Sequence, residues 1–167
     1  MKGSFMKCLC FSDSHGNPYN IRRVLNMHPD AEVIFFLGDG LSDLEPFVLD
    51  RTRAFLAVRG NCDGSFVLGS AILKKTDEIN LLGKRIVFTH GDLYGVKYSL
   101  DGVKKLALER GVDLVLFGHT HMPLERYDAD INDGVYFFNP GSIATSPASY
   151  GVMNITEKGI LLSHGIL

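Results

Sequence analysis

Asp13, His15, Asp39, Asn61, His90, His119 and His121 each stand just after an apolar segment, in or beside a short loop that contains glycine. Any one of them alone reads as a turn or cap residue. Together they take four of the six histidines in the chain, and chance does not readily place all of them alike. Imidazole combined with carboxylate suits Mn, Fe, Zn, Ni or Co, whereas calcium takes oxygen donors alone. Paired ions in hydrolases sit roughly 3.5–4 Å apart, so one Asp is expected to offer an oxygen to each. In an extended segment, residues two apart point the same way and lie about 6.5 Å from one another. On that spacing His119 and His121 can each approach a different ion, and Asp13 and His15 can grip one together. Two divalent ions less the charges of Asp13 and Asp39 leave about +2, or one less with a hydroxide between them, which would draw a phosphate anion. His28, beside a helix end, and His164, near the C-terminus, fall outside the pattern and read as structural.

The elements that must position these side chains follow from the hydrophobic pattern. Residues 5–11 form an apolar strand that runs into Ser12-Asp13-Ser14-His15-Gly16-Asn17. A helix is predicted over 18–27, with Ile21, Val24, Leu25 and Met27 as its buried stripe and Pro29 closing it. Residues 31–37 are nearly all apolar, as in a sheet covered on both faces, and end at Gly38-Asp39-Gly40. Ser42 with Glu45 has the spacing of a capping box for a short helix to 49. A strand at 53–58 ends at Gly60-Asn61-Cys62-Asp63. Segments 78–82 and 85–89 flank a hairpin turn at Gly83, and the second ends at His90-Gly91-Asp92. Residues 99–110 read as a helix with Leu100, Val103, Leu106 and Ala107 on one face and Gly111 as its stop. A strand at 113–117 leads to Gly118-His119-Thr120-His121. The tail is predicted to hold short strands only, among them 135–138 and 159–163. This is an α/β fold (α+β type) with mixed strands and a β-rich last third. Five strands end in loops bearing Asp, Asn or His, at the edge where α/β sheets place ligands.

The bulk properties bound the rest. A chain of 167 residues suits a single domain over 1–167, and 46% hydrophobic with 22% charged content argues against disorder. No apolar run nears the roughly 20 residues of a membrane helix. Residues 1–7 lead into too short an apolar stretch for a signal peptide, so a cytoplasmic location without membrane contact is expected. A net charge of −2 gives no case for specific nucleic-acid binding. Cys8, Cys10 and Cys62 make no complete disulfide framework and fit a reducing compartment. Cys8 and Cys10 share a strand face and read as small core residues.

These motifs in this order resemble the calcineurin-like metallophosphoesterases, and among them the small YfcE-type phosphodiesterases related to Vps29. The resemblance rests on Asp13-Ser14-His15, Gly38-Asp39, Gly60-Asn61-Cys62-Asp63, Thr89-His90-Gly91-Asp92, Gly118-His119-Thr120-His121 and Asn139-Pro140-Gly141-Ser142. It implies a β-sandwich of mixed sheets flanked by helices, and two divalent metal ions per chain, Mn first, with Ni, Zn, Fe, Co or Mg as others. It also implies Asp13, His15 and His121 on one ion, Asn61, His90 and His119 on the other, and Asp39 bridging. The chemistry implied is in-line attack on phosphorus by a hydroxide between the metals, on a small phosphate ester, with Asp39, Asn61 and Cys62 in catalytic positions. Asn139 to Ser142 would form a supporting turn. Two departures stand out: Cys62 where larger relatives carry a His that can protonate the leaving group, and Asp92 where many small relatives have a second His. Phosphodiester hydrolysis is the expected activity. Alternatives are monoester hydrolysis at the same site and a non-catalytic protein-binding scaffold like Vps29, and a homo-oligomer is compatible with the branch.

Overall fold

In β1 (Phe5–Phe11), Cys8 and Cys10 point one way, Leu9 and Phe11 the other, and all four are fully buried. A strand that is apolar on both sides must be covered on both, and this requirement organises the whole molecule. The computed structural model describes residues 5–49, 51–64, 67–68 and 71–167; the reading of the first seven residues therefore lies in part outside the described residues. One five-stranded sheet runs in the order β12 (Gly159–Ile166), β11 (Ser149–Thr156), β1, β2 (Val33–Phe36), β3 (Ala54–Ala57). The other runs β6 (Thr76–Leu81), β7 (Lys84–Thr89), β8 (Leu114–Leu116), β10 (Val135–Pro140), β9 (Pro123–Asp128). A small two-stranded ribbon joins β4 (Val67–Leu68) to β5 (Ala71–Ile72).

The space between the large sheets is filled by Cys8, Cys10, Phe35 and Leu37 from the first and Ile86, Phe88, Leu116 and Phe138 from the second. Their outer faces are closed by helices. Leu9, Phe11, Ile34 and Phe36 pack on Ile21, Val24 and Leu25 of α1 (Pro18–Met27) and on Leu44 and Phe47 of α2 (Leu41–Val48). Val87, Val115 and Phe137 pack on Val103, Leu106 and Ala107 of α3 (Asp101–Arg110). Strands β1, β2 and β3 are mutually parallel, and so are β7, β8 and β10. Each parallel set therefore delivers its C-terminal loops to one edge.

Several sequence expectations need correction. Met27 is not part of the buried stripe; it is 55% exposed at the end of α1. The capping box at Ser42 does not form, because α2 already starts at Leu41 with Gly40 as its N-cap and no side-chain cap of its own. The Asp63 carboxylate, from another loop, accepts Gly40 N–H at 2.9 Å and Leu41 N–H at 3.0 Å instead. A helix end capped from a distance carries no local signature. The tail is not made of short strands only: β11 and β12 have eight residues each. Gly151 and Asn154 weaken the strand signal of β11, yet a Cβ at Gly151 would lie 3.0 Å from Phe138 Cζ and 3.1 Å from Cys10 Cβ. The glycine is there because the two sheets come close. His28 and His164 are structural as expected: His28 packs edge-on to Tyr150, and His164 Nε2 donates to the Asn139 carbonyl at 2.7 Å.

Candidate metal centre

The loops leaving β1, β2, β3, β7 and β8 meet at one end of the sandwich and are stitched together by their backbones. Asp13 N–H donates to the Gly38 carbonyl at 3.0 Å, His15 N–H to that of Asp39 at 3.2 Å, and Gly118 N–H to that of His90 at 2.9 Å. Asp13, His15, Asp39, His119 and His121 all have positive φ, between 42° and 67°. Asp and His tolerate this left-handed region better than most side chains, but each still costs about 1–2 kcal/mol, and such strain clusters where function requires it. The extended spacing expected for Asp13/His15 and His119/His121 is thus not what aligns them; each loop turns sharply and presents its side chains from left-handed residues. Gly38 and Gly60 permit the close approach. A Cβ on Gly38 would press into the Gly60 backbone, and one on Gly60 would collide with the Asp39 carboxylate.

Six of the seven predicted residues gather into two groups. In the first, Asp13 Oδ1 lies 3.1 Å from His121 Nε2 and 3.7 Å from His15 Nε2, and the two imidazole nitrogens are 3.2 Å apart. In the second, His90 Nε2 is 3.3 Å from Asp39 Oδ2 and 3.0 Å from His119 Nδ1. Donors around one first-row ion at about 2.1 Å stand roughly 3.0–3.4 Å from one another, close to these separations. Asp39 also forms a third grouping with His15 and Cys62, so it faces both ends.

The donor atoms are prepared from behind. Asp13 is fully buried, and its Oδ2 accepts Ser12 Oγ–H at 2.5 Å and His119 N–H at 3.1 Å. Its Oδ1 accepts no hydrogen bond among the described residues, an orphaned buried oxygen that a cation would satisfy. His90 Nδ1 donates to the Leu37 carbonyl at 2.8 Å, which turns the lone pair of Nε2 toward Asp39 and His119. Two acceptors facing each other at 3.3 Å need a cation or a proton between them. Burial opposes ionisation of Asp39, but the His90 imidazole and the Cys62 N–H outweigh it and hold the carboxyl well below the usual carboxylate range. Burial likewise works against charge on His90, and the neighbouring Asp39 and Asp13 carboxylates overcome it to raise its pKa. The residues present fit divalent ions.

Asn61 and Cys62 stand at the rim, both exposed. Cys62 N–H donates to Asp39 Oδ1 at 2.8 Å, and Asn61 Nδ2 donates to Cys62 Sγ at 3.3 Å. Asn61 is thus tied to the centre through Cys62, with its own oxygen in no hydrogen bond among the described residues. The side chains of His15 and His121 are 36% and 41% exposed, which leaves the centre open on that side.

The sequence reading missed the supports. One carboxylate, Asp63, accepts from Asp39, Gly40, Leu41 and Gly60 N–H at 2.7–3.0 Å, knitting the β2 and β3 loops together. Asp43 does the same for the first loop, taking Ser14 Oγ–H at 2.6 Å and Gly16 N–H at 2.8 Å. Of the bonds to Asp63 only the one from Gly60 N–H, three positions away, lies within a sequence window; the other three reach across 22 to 24 positions. The expected supporting turn is present: Asn139 Nδ2 donates to the Gly118 carbonyl at 2.9 Å, and Ser142 Oγ–H to that of Asp13 at 2.8 Å.

Two mixed five-stranded sheets with three helices, carrying Asp and His groups at their strand ends, make a metallophosphoesterase-like α/β sandwich. The family model of the calcineurin-like phosphoesterase superfamily domain matches residues 6–158. A Bacillus subtilis (strain 168) protein described as "Probable metallophosphoesterase YsnB" is 34% identical over 142 residues, spanning 83% of this chain and 75% of that protein. The Escherichia coli (strain K12) phosphodiesterase YfcE is 29% identical over 172 residues, spanning 89% and 88%. The structure of Vacuolar Protein Sorting 29 from Cryptosporidium parvum superposes with a TM-score of 0.75 over 98% of both chains at 15% identity, a likeness of fold. The chain belongs to the calcineurin-like phosphoesterase superfamily, in the small branch that holds YfcE, YsnB and Vps29. Among the described residues no helix is long and apolar enough to cross a membrane.

Proposed function

We propose that this protein is a metal-dependent phosphodiesterase acting on small phosphate esters. The observation that carries the reading is the orphaned, buried Asp13 Oδ1 facing two imidazole nitrogens, beside a second donor group that shares the Asp39 side of the site. Asp13, His15 and His121 would hold one divalent ion, and His90 and His119, with the Asn61 oxygen, the other. Asp39 would serve both. Bound ions supply a nucleophile at neutral pH and offset charge on the phosphoryl oxygens. The chain's own residues supply the frame. Ser12 and the His119 N–H fix the Asp13 carboxylate, the Leu37 carbonyl fixes the His90 tautomer, and Cys62 N–H fixes Asp39. The exposed His15, His121 and Asn61 leave the centre accessible to a substrate from solvent. Preference for diesters is supported by the likeness to the phosphodiesterase YfcE. Manganese is the first ion to test, and the cytoplasm is the compartment that fits three free cysteines.

The test is hydrolysis by chelator-stripped protein reloaded with Mn, on matched aryl diester and monoester substrates. Cleavage of the diester faster than the monoester, lost on chelation, is the expected result. A tenfold preference for the monoester would overturn the diesterase assignment, and no metal-dependent cleavage of either would overturn the enzyme.

A further inference from the structure

Asp92 stands two residues beyond His90, and Gly60 immediately precedes Asn61. The Lys75 ammonium donates to Asp92 Oδ2 at 2.9 Å and to the Gly60 carbonyl at 3.1 Å, so one side chain joins the loop after β7 to the loop after β3. The backbone around Lys75 is itself held on both sides. Arg59 N–H donates to the Lys74 carbonyl at 2.9 Å, and Thr89 Oγ–H to that of Lys75 at 2.9 Å. The two charged side chains are only 25% and 15% exposed. The second Asp92 oxygen is buried and accepts no hydrogen bond among the described residues, so Lys75 is the partner that holds this carboxylate.

We propose that Lys75 and Asp92 are positioning residues for the Asn61–His90–His119 end of the centre, fixing the loop that carries Asn61 against the loop that carries His90. The inference rests on the metal-binding reading above. Asn61 has no contact that seats it directly among the histidines, being exposed and bonded to Cys62. Cys62 N–H ties its loop to Asp39 and Gly60 N–H ties it to Asp63, and the Lys75 ammonium adds the one side chain among the described residues that spans directly from the Gly60 carbonyl to Asp92 beside His90. The Asp13–His15–His121 end receives no hydrogen bond from either residue.

Calorimetric titration of chelator-stripped protein with Mn tests this, with His121→Ala marking the uptake step of the opposite end. Lys75→Met removes a positive charge and Asp92→Asn a negative one. A purely electrostatic effect would tighten the ion in the first variant and loosen it in the second. Positioning loosens it in both, by about 10–100-fold as for other residues behind metal ligands, while the opposite step changes less than threefold. The double variant should be little worse than either single one, because both break the same bridge. Lys75→Arg, which can still reach both acceptors, should keep the affinity within a few fold. Opposite signs for the two single variants, no change in either, or equal loosening of both ions together with a drop in the metal-free Tm would each overturn the proposal. Wild-type protein that takes up no ion would instead overturn the metal-binding reading, and this inference with it.

Discussion

At the scale of single residues, Asp39 and Cys62 make the sharpest predictions. Asp39 lies against His90 on one side and in a group with His15 and Cys62 on the other. Asp39→Ala should therefore weaken both metal steps together, whereas His121→Ala should weaken mainly one; a titration in which Asp39→Ala leaves either step intact contradicts the shared role. Cys62 has its thiol pKa raised by the Asp39 carboxylate and by burial, so in the metal-free protein it stays protonated at neutral pH. That proton could in principle go to a leaving alkoxide. The geometry gives Cys62 another task, since its N–H holds Asp39 and its sulfur accepts the Asn61 amide. A residue that orients Asn61 affects every substrate alike, whereas loss of a general acid costs about 10²–10⁴-fold only where the leaving group needs help. We expect Cys62→Ala to lower turnover of matched aryl and alkyl diesters by similar, modest factors. A large loss confined to alkyl diesters would assign the thiol the acid role.

At the scale of elements, the legible features were those with a local period. Apolar runs followed by Asp or His gave β1, β2, β7 and β8 and their loops, and Ile21, Val24 and Leu25 gave the buried face of α1. What stayed hidden acts between loops. Asp63 caps α2 and the β2 loop from 22 to 24 positions away, and no window of sequence displays such a pairing. Lys75 is hidden for the same reason. Four N–H groups converge on Asp63, and hydrogen bonds to a charged group are worth about 1.5–3 kcal/mol each before solvent replaces some of them. Asp63→Ala should thus cost about 3 kcal/mol and lower Tm by roughly 6–12 °C, and a shift under about 2 °C would show that water serves these donors equally well. The C-terminus of α1 supplies a pH effect. Burial and then the Lys7 ammonium lower the His28 pKa below its ordinary 6.5, with Asp30 opposing. The unfolded chain therefore takes up this proton first as pH falls. The contribution of neutral His28 is complete above about pH 6.5 and is lost as pH drops through the lowered folded value. His28→Gln should flatten the fall of Tm between about pH 7 and 5 relative to wild type, and parallel Tm curves would remove His28 from the account.

At the scale of the whole molecule, the important fact is that the donor group around Asp13 and the donor group around His90 each draw on both sheets. Asp13 and His15 follow β1 and Asp39 follows β2 in one sheet, while His90 follows β7 and His119 and His121 follow β8 in the other. The first group joins Asp13 and His15 to His121, and the second joins Asp39 to His90 and His119. An ion in either group would tie one sheet to the other across the open end of the sandwich, where the apolar filling between them stops. The same end holds the fully buried Asp13 carboxylate, whose Oδ1 accepts no hydrogen bond among the described residues and lies 4.0 Å from His90 Nε2, itself 3.3 Å from Asp39 Oδ2. Unfolding separates the sheets and scatters the donors, so a bound ion favours the folded chain by mass action. At a free ion concentration 100 times the dissociation constant, one site adds about 2.7 kcal/mol, which for a chain of this size is roughly 5–11 °C in Tm. We expect Mn to raise Tm progressively with the logarithm of its concentration, and a chelator to reverse the rise. His121→Ala should keep part of the increase and Asp39→Ala little of it, because the first removes one cross-tie and the second disturbs both. A Tm indifferent to Mn up to millimolar levels would mean that the two sheets already reach their final closeness unaided and that the donor groups do not bind the ion.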